Sequence, residues 1–114
     1  MAVQGPIVIT GASSGIGAAC ARYLDALGFT VWAGVRGAQD GEALTRLASS
    51  RLRVLMLDVT DPASIEAARK TLAEDTRDTG LAGLVNNAGI SVAGPLELLP
   101  LAEVRTQFEV NVIG

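Results

Sequence analysis

Thr10-Gly11-Ala12-Ser13-Ser14-Gly15-Ile16-Gly17 is the stretch on which the fold of this chain turns. Before it runs a continuous β-branched segment, Ile7-Val8-Ile9, which reads as a strand buried on both faces of a parallel sheet. After it the apolar positions Ile16, Cys20, Tyr23, Leu24 and Leu27 form a helical stripe, read as the core face of a first helix. A tight strand-to-helix turn needs residues that tolerate unusual φ and allow close backbone approach, which glycine supplies. The helix beginning near Gly15 then offers unpaired N–H groups and the positive end of its dipole to a pyrophosphate. Ser13 and Ser14 add hydroxyl donors, and Gly17 lets the helix pack closely on the strand. The spacing is G-x-x-x-G-x-G rather than the more general G-x-G-x-x-G. A glycine-rich connection that binds nothing would use the same residues.

Working outward, the chain alternates short apolar runs with longer amphipathic stretches, as repeated βα units do. Gly28 falls where a helix C-terminus calls for a left-handed residue. Thr30 to Val35 reads as a second strand, weakened by Gly34. A short helix is expected from about Glu42 to Ala48, and a third strand at Val54 to Leu57. Asp61-Pro62 has the form of an N-cap followed by proline at the first helical position. Ile65, Ala68, Leu72 and Ala73 are expected on the inner face of the helix that follows. Leu81 to Val85 reads as a fourth strand and Gly89 to Pro100 as a loop. A last helix is expected from Leu101 to the end, with Leu101, Val104, Phe108 and Val112 along one side. This order predicts right-handed crossovers and a doubly wound parallel α/β sheet.

Three further positions join the glycine turn. Arg36 ends the second strand, 19 residues after Gly17. A nucleotide-binding α/β fold places there the residue that reads the adenosine ribose, and arginine complements a 2′-phosphate. A solvated loop arginine is the alternative. Asp58-Val59 follows the third strand, where a carboxylate points into the ligand crevice and can accept from an adenine amino group. Helix capping is the other role open to Asp58, although Asp61 is better placed for it. Asn86-Asn87-Ala88-Gly89 ends the fourth strand; the amides can tie neighbouring backbone together while Ala88 and Gly89 leave room for a flat ring. The same four residues also suit a purely architectural turn. Asn111 falls on the apolar side of the last helix, where an amide must find partners or face a desolvation cost of a few kcal/mol, roughly. That marks either a polar network near a cleft or a buried structural asparagine.

Composition narrows the chemistry. Of 114 residues, 49% are apolar and 18% charged, a globular and not a disordered balance. A net charge of −3 argues against a nucleic-acid or anionic-membrane surface carried by bulk charge. No apolar run approaches the ~18 to 20 residues that span a bilayer, and Met1 to Gly5 lacks the form of a secretory signal. One cysteine and no histidine exclude Ser-His-Asp and Cys-His catalysis and an N/S zinc site within the chain. The lone Cys20 fits a reducing, cytoplasmic setting.

Together, Thr10-Gly11-x-x-x-Gly15-x-Gly17, Asp58-Val59, Asn86-Asn87-Ala88-Gly89 and Asn111-Val112-x-Gly114 resemble the short-chain dehydrogenase/reductase family over the whole chain. The resemblance implies a Rossmann-type fold, NAD or NADP as cofactor, and hydride transfer between nicotinamide and a small-molecule alcohol or carbonyl substrate. It implies that Gly11, Ser13, Ser14, Gly15, Ile16 and Gly17 surround the pyrophosphate and adenosine ribose, and that Asp58 and Val59 hold the adenine. Asn87, Ala88 and Gly89 would line the nicotinamide ribose side, with Asn86 also stabilising the central strand. Asn111 matches a helix asparagine whose backbone carbonyl holds a water of the proton relay. Val31 to Arg36 looks like members that prefer NADP, with Arg36 on the 2′-phosphate, and NADP is favoured over NAD. The parent protein is expected to be a homodimer or homotetramer.

One departure bears on mechanism. The family works with a serine and a Tyr-x-x-x-Lys pair, whereas here the only tyrosine and lysine, Tyr23 and Lys70, lie 47 positions apart. The chain is therefore expected to be the N-terminal, cofactor-binding part of an oxidoreductase, residues 1–114 holding about four βα units and ending within a helix. Alone, it is expected to be inactive, and marginal or associated. The alternative is a non-catalytic nucleotide-binding module, or an inactive fragment, that works only with a partner.

Overall fold

The computed structural model describes residues 4–114. The stretch Met1 to Val3, part of the reading against a secretory signal, lies outside the described residues. Four parallel strands, β1 (Gln4–Ile9), β2 (Phe29–Val35), β3 (Leu52–Met56) and β4 (Gly83–Val85), form one sheet in the order β3-β2-β1-β4. The helices between them are α1 (Gly15–Ala26), α2 (Ala38–Thr45) and α3 (Pro62–Asp75). A single 3₁₀ turn, Leu96–Leu98, precedes α4 (Leu101–Phe108). The sheet is a doubly wound, Rossmann-type arrangement, and its strand order reverses between β1 and β4, where such sheets open a crevice at the strands' C-terminal ends. No helix among the described residues is long and apolar enough to cross a membrane.

The β-branched runs earn their place by burial on both faces. Ile7, Ile9, Val31, Ala33, Val35 and Leu52 pack under α1 and α2, with Ala18, Ala21 and Leu44. Val8, Trp32 and Leu55 face the other way and pack with Ala68 of α3. Gly34 is compatible with strand β2 because it lies where backbones crowd: a Cβ there would stand 2.9 Å from the Ile9 carbonyl oxygen. Asp61 caps α3 by accepting from the Ala63 N–H at 3.0 Å, with Pro62 in the first turn. Gly28, with φ +96°, ends α1 as expected.

Several expectations give way. Ile16 and Tyr23 are 82% and 66% exposed, so neither belongs to the core face of α1. Cys20 and Leu24 of the expected stripe do pack against the core, partly buried, beside the fully buried Gly17, Ala18 and Ala21. Likewise Ile65 and Ala73 of α3 are exposed, and Ala68 with Leu72 does the packing. The second helix starts four residues early, at Ala38, and β3 runs Leu52–Met56 instead of Val54 to Leu57. Strand β4 is confined to Gly83–Val85, and β1 extends back to Gln4. The last helix does not continue as α-helix: Glu109–Ile113 forms a π-helical turn, with the Gly114 N–H donating to the Glu109 carbonyl at 2.7 Å. Its apolar side stays uncovered, Leu101, Phe108 and Val112 all being exposed, as is Leu84 of β4. The accessible surface of 7236 Å² accordingly exceeds the ~5,900 Å² expected of a compact domain of this mass.

Two polar clusters bolt the layers together. Asp75, in the last turn of α3, accepts from the Trp32 indole at 3.0 Å and from Arg53 at 2.6 Å. Asp25 of α1, only 5% exposed, accepts from the Ser49 N–H at 2.8 Å and from the Ser49 hydroxyl. Arg51 donates to the Asp25 carbonyl at 2.8 Å. Asp25→Ala removes the acceptor from a half-buried N–H and is expected to cost about 2 to 3 kcal/mol, measured by urea denaturation. A loss within error would show that water replaces the carboxylate.

Candidate functional site

At the C-terminal ends of the strands lies a cleft of about 720 Å³, within the range typical of small-molecule sites. Its floor is the β1–α1 turn. Gly11 and Gly15 both take left-handed φ, +64° and +55°, and between them Ser13 and Ser14 stand exposed. Ser14, the N-cap of α1, makes no side-chain capping bond. The first N–H groups of α1 therefore have neither intrahelical partners nor a side-chain cap, and they open at the cleft. This arrangement suits an anion: the dipole and the free donors act in the same direction.

The turn is held from behind by β4's end. Asn87 donates from Nδ2 to the Thr10 and Gly11 carbonyls, both at 3.0 Å. In return the buried Thr10 hydroxyl accepts from the N–H groups of Asn87 at 3.0 Å and Ala88 at 2.9 Å. Asn87, and not Asn86, is thus the amide that ties the central strands together. Asn86 is exposed and lines a smaller hollow with Asn111. The chain turns tightly past β4, the Asn87 N–H also lying 3.1 Å from the Val85 carbonyl, and it is the Asn87 side chain that reaches the β1–α1 turn.

Every residue of the sequence-derived dinucleotide set lines this one cleft: Gly11, Ser13, Ser14, Gly15, Ile16 and Gly17 with Arg36, Asp58, Val59, Asn87, Ala88 and Gly89. Asn111 does not. It lies on the exposed side of the π-helical turn, where its amide pairs with both backbone groups of Ile90 at 2.8 Å each. The desolvation argument for Asn111 therefore fails, while the polar network it predicted is present. Thr60, Thr106 and Glu109 also line the cleft and were missed, because nothing in their local sequence distinguishes them from helix or turn residues. Thr10, buried behind the turn, has a role its place in the motif does not reveal: its hydroxyl accepts from two backbone N–H groups.

Asp58 does not cap a helix. Its Oδ1 accepts from the Thr60 hydroxyl at 2.7 Å and the Thr60 N–H at 2.9 Å. These two bonds, the hydroxyl first, hold its carboxyl below the usual carboxylate range; partial burial opposes them and the Arg36 charge adds to them. A depressed carboxylate contributes stability that is fully present above the ordinary Asp range and is lost as pH falls through the folded value. Thr60→Val, which keeps only the N–H donor, is expected to raise the Asp58 midpoint toward the ordinary range. Carboxyl ¹³C NMR titration reads this directly, and an unchanged or lower midpoint would contradict it. Arg36 is exposed and has no ion-pair partner among the described residues. Nor do those residues contain a cluster able to hold a metal ion.

With this geometry in hand, the chain can be compared with known proteins. Residues 6–114 match the family model for short chain dehydrogenases, and the chain belongs to that family. It is 43% identical over 115 residues to estradiol 17-beta-dehydrogenase 2 of Rattus norvegicus, covering 97% of this chain and 30% of that protein. It is 46% identical over 111 residues to 11-beta-hydroxysteroid dehydrogenase type 2 of Ovis aries, covering 95% and 26%. Among solved structures, the NADPH-bound carbonyl reductase from chicken fatty liver superposes with a TM-score of 0.87 at 34% identity, covering 98% of this chain and 47% of that one. The 3-ketoacyl-(acyl-carrier-protein) reductase of Brucella melitensis, complexed with NADH, gives 0.87 at 26% identity, covering 97% and 45%. The chain thus spans about a third or less of these curated relatives and about half of these structures.

Proposed function

We propose that this chain is the cofactor-binding part of a nicotinamide-dependent oxidoreductase, with NADP preferred over NAD. The observation that carries the reading is the convergence, in one cleft, of the uncapped α1 N-terminus, the Asp58 carboxylate and the unpaired Arg36 guanidinium. These are an anion site, an acceptor and a cation spaced along a single crevice, the complement of a phosphorylated adenine dinucleotide. The donor set fits such a group at Gly15 as well, where the space a Cβ would occupy is open. In this reading the α1 N–H groups and Ser13 and Ser14 bind the pyrophosphate, Arg36 the 2′-phosphate, and Asp58 the adenine amino group. Asn87 holds the floor in shape, and Ala88 and Gly89 leave room beside the nicotinamide ribose. The bound nicotinamide supplies the hydride acceptor or donor; the residues here bind and orient it. The relatives named for estradiol and hydroxysteroids support an alcohol or carbonyl substrate in the whole protein. Neither Tyr23, exposed on α1, nor Lys70 on α3 lines the cleft, so neither stands in for the family's tyrosine–lysine pair.

Isothermal titration of the chain with NADPH and NADH tests the reading. Saturable one-to-one binding, tighter for NADPH, is the expected result. Absence of binding to either dinucleotide by a folded chain overturns it.

A further inference from the structure

Beyond β4 the chain runs from Asn86 to Gly94 without a strand partner. Backbone groups in such a segment need partners from elsewhere, and two side chains supply them, one from α4 and one from the π-helical turn that follows it. Asn111 accepts from the Ile90 N–H and donates to the Ile90 carbonyl, both at 2.8 Å. Gln107 repeats the pattern two residues on, accepting from the Val92 N–H at 3.1 Å and donating to the Val92 carbonyl at 3.4 Å. Each primary amide, with one acceptor and one donor edge, does for one residue what a neighbouring strand would do. The spacings match for a geometric reason. Gln107 near the end of α4 and Asn111 in the π-helical turn are about one turn apart, a rise on the order of 5 Å, and two residues of extended chain span about 6.6 Å. Amides four apart on a helix therefore fall opposite alternate residues of an extended segment.

Ile90 lines the cleft next to Ala88 and Gly89, with Thr106, Glu109 and Val110 also on its wall. One clamp at Ile90 would fix a point and leave the segment free to pivot about it; a second clamp at Val92 fixes its direction. We infer that Gln107 is a positioning residue, holding the Ile90–Val92 segment so that Gly89 and Ile90 form one wall of the cofactor cleft. Its functional half rests on the reading of the cleft as a dinucleotide site with the nicotinamide on the Ala88–Gly89 side. Gln107 makes no hydrogen bond to the glycine turn, Arg36 or Asp58; both of its side-chain bonds go to Val92 on that side of the cleft.

The test compares the wild-type chain with Gln107→Leu, and with Gln107→Glu, which keeps the acceptor and side-chain length but loses the donor. Amide hydrogen exchange at Val92 is expected to accelerate about 10-fold in Gln107→Leu, the effect of losing two modest hydrogen bonds, while Ile90, still held by Asn111, changes less. NADPH affinity should fall by a similar factor, while affinity for 2′-phospho-ADP-ribose, which lacks the nicotinamide, stays unchanged. Gln107→Glu is expected to lie between wild type and Gln107→Leu. Equal losses for both ligands would indicate general destabilisation and overturn the inference, as would unchanged exchange at Val92. A wild-type chain that binds neither ligand overturns the cofactor reading instead, and the exchange rates still decide whether Gln107 holds the segment.

Discussion

Gly17→Ala is expected to unseat the β1–α1 turn and abolish measurable dinucleotide binding. A Cβ at Gly17 would fall on the Gly11 carbonyl oxygen and stand 2.5 Å from Asn87 Nδ2. These are the acceptor and the donor of one of the bonds that close the turn. The clash therefore cannot relax by rotating a surface side chain; either α1 moves away from the sheet or Asn87 gives up its bonds. Overpacking of this kind, with a hydrogen bond lost beside it, costs about 3 kcal/mol. For a domain of this size that lowers the melting temperature by on the order of 10 °C. Thermal denaturation and an NADPH titration check the two halves of the expectation separately. Gly15→Ala is the informative contrast, since its Cβ would meet open space and only the left-handed φ is strained. Its cost should stay near 1 to 2 kcal/mol, roughly. Equal losses at the two glycines would mean that backbone conformation, and not close approach, makes Gly17 necessary.

Arg36→Ala is expected to weaken NADPH by about 10- to 100-fold, the range of a charge-assisted contact to phosphate. NADH should change by no more than about 2-fold, because the two cofactors differ only where the guanidinium would bind. Arg36 has no ion-pair partner among the described residues, so its removal breaks no salt bridge. The NADPH advantage should also shrink as salt rises, as the contact is exposed and screened. Calorimetric titration of both cofactors at two salt concentrations measures this. Equal losses for NADPH and NADH would show that Arg36 does not read a phosphate.

How far the sequence carried can be judged at particular residues. The β-branched run Ile7 to Ile9, the Asp61-Pro62 start and the Gly28 stop act within a few residues of themselves, and they were legible. The twelve residues expected along a bound dinucleotide do line one cleft, because each follows a strand of a parallel sheet whose ends lie on the same side. Apolar periodicity on α1 holds for Cys20 and Leu24, which pack against the core, and fails for Ile16 and Tyr23, which are exposed. The fully buried apolar positions of this helix are Gly17, Ala18 and Ala21, small residues that are weak signals in any hydrophobicity pattern.

What the sequence by itself determined is the order of strands and helices and the chemical types gathered at the strand ends, since both follow from local pattern and chain direction. Only the tertiary structure decided which of two adjacent asparagines closes the turn, that Asn111 serves Ile90 and not a core, and that Gln107 repeats its work at Val92. Each of these depends on the relative rotation and separation of two elements far apart in the chain. A side chain's identity states what it can bond, and packing alone brings a partner within 3 Å.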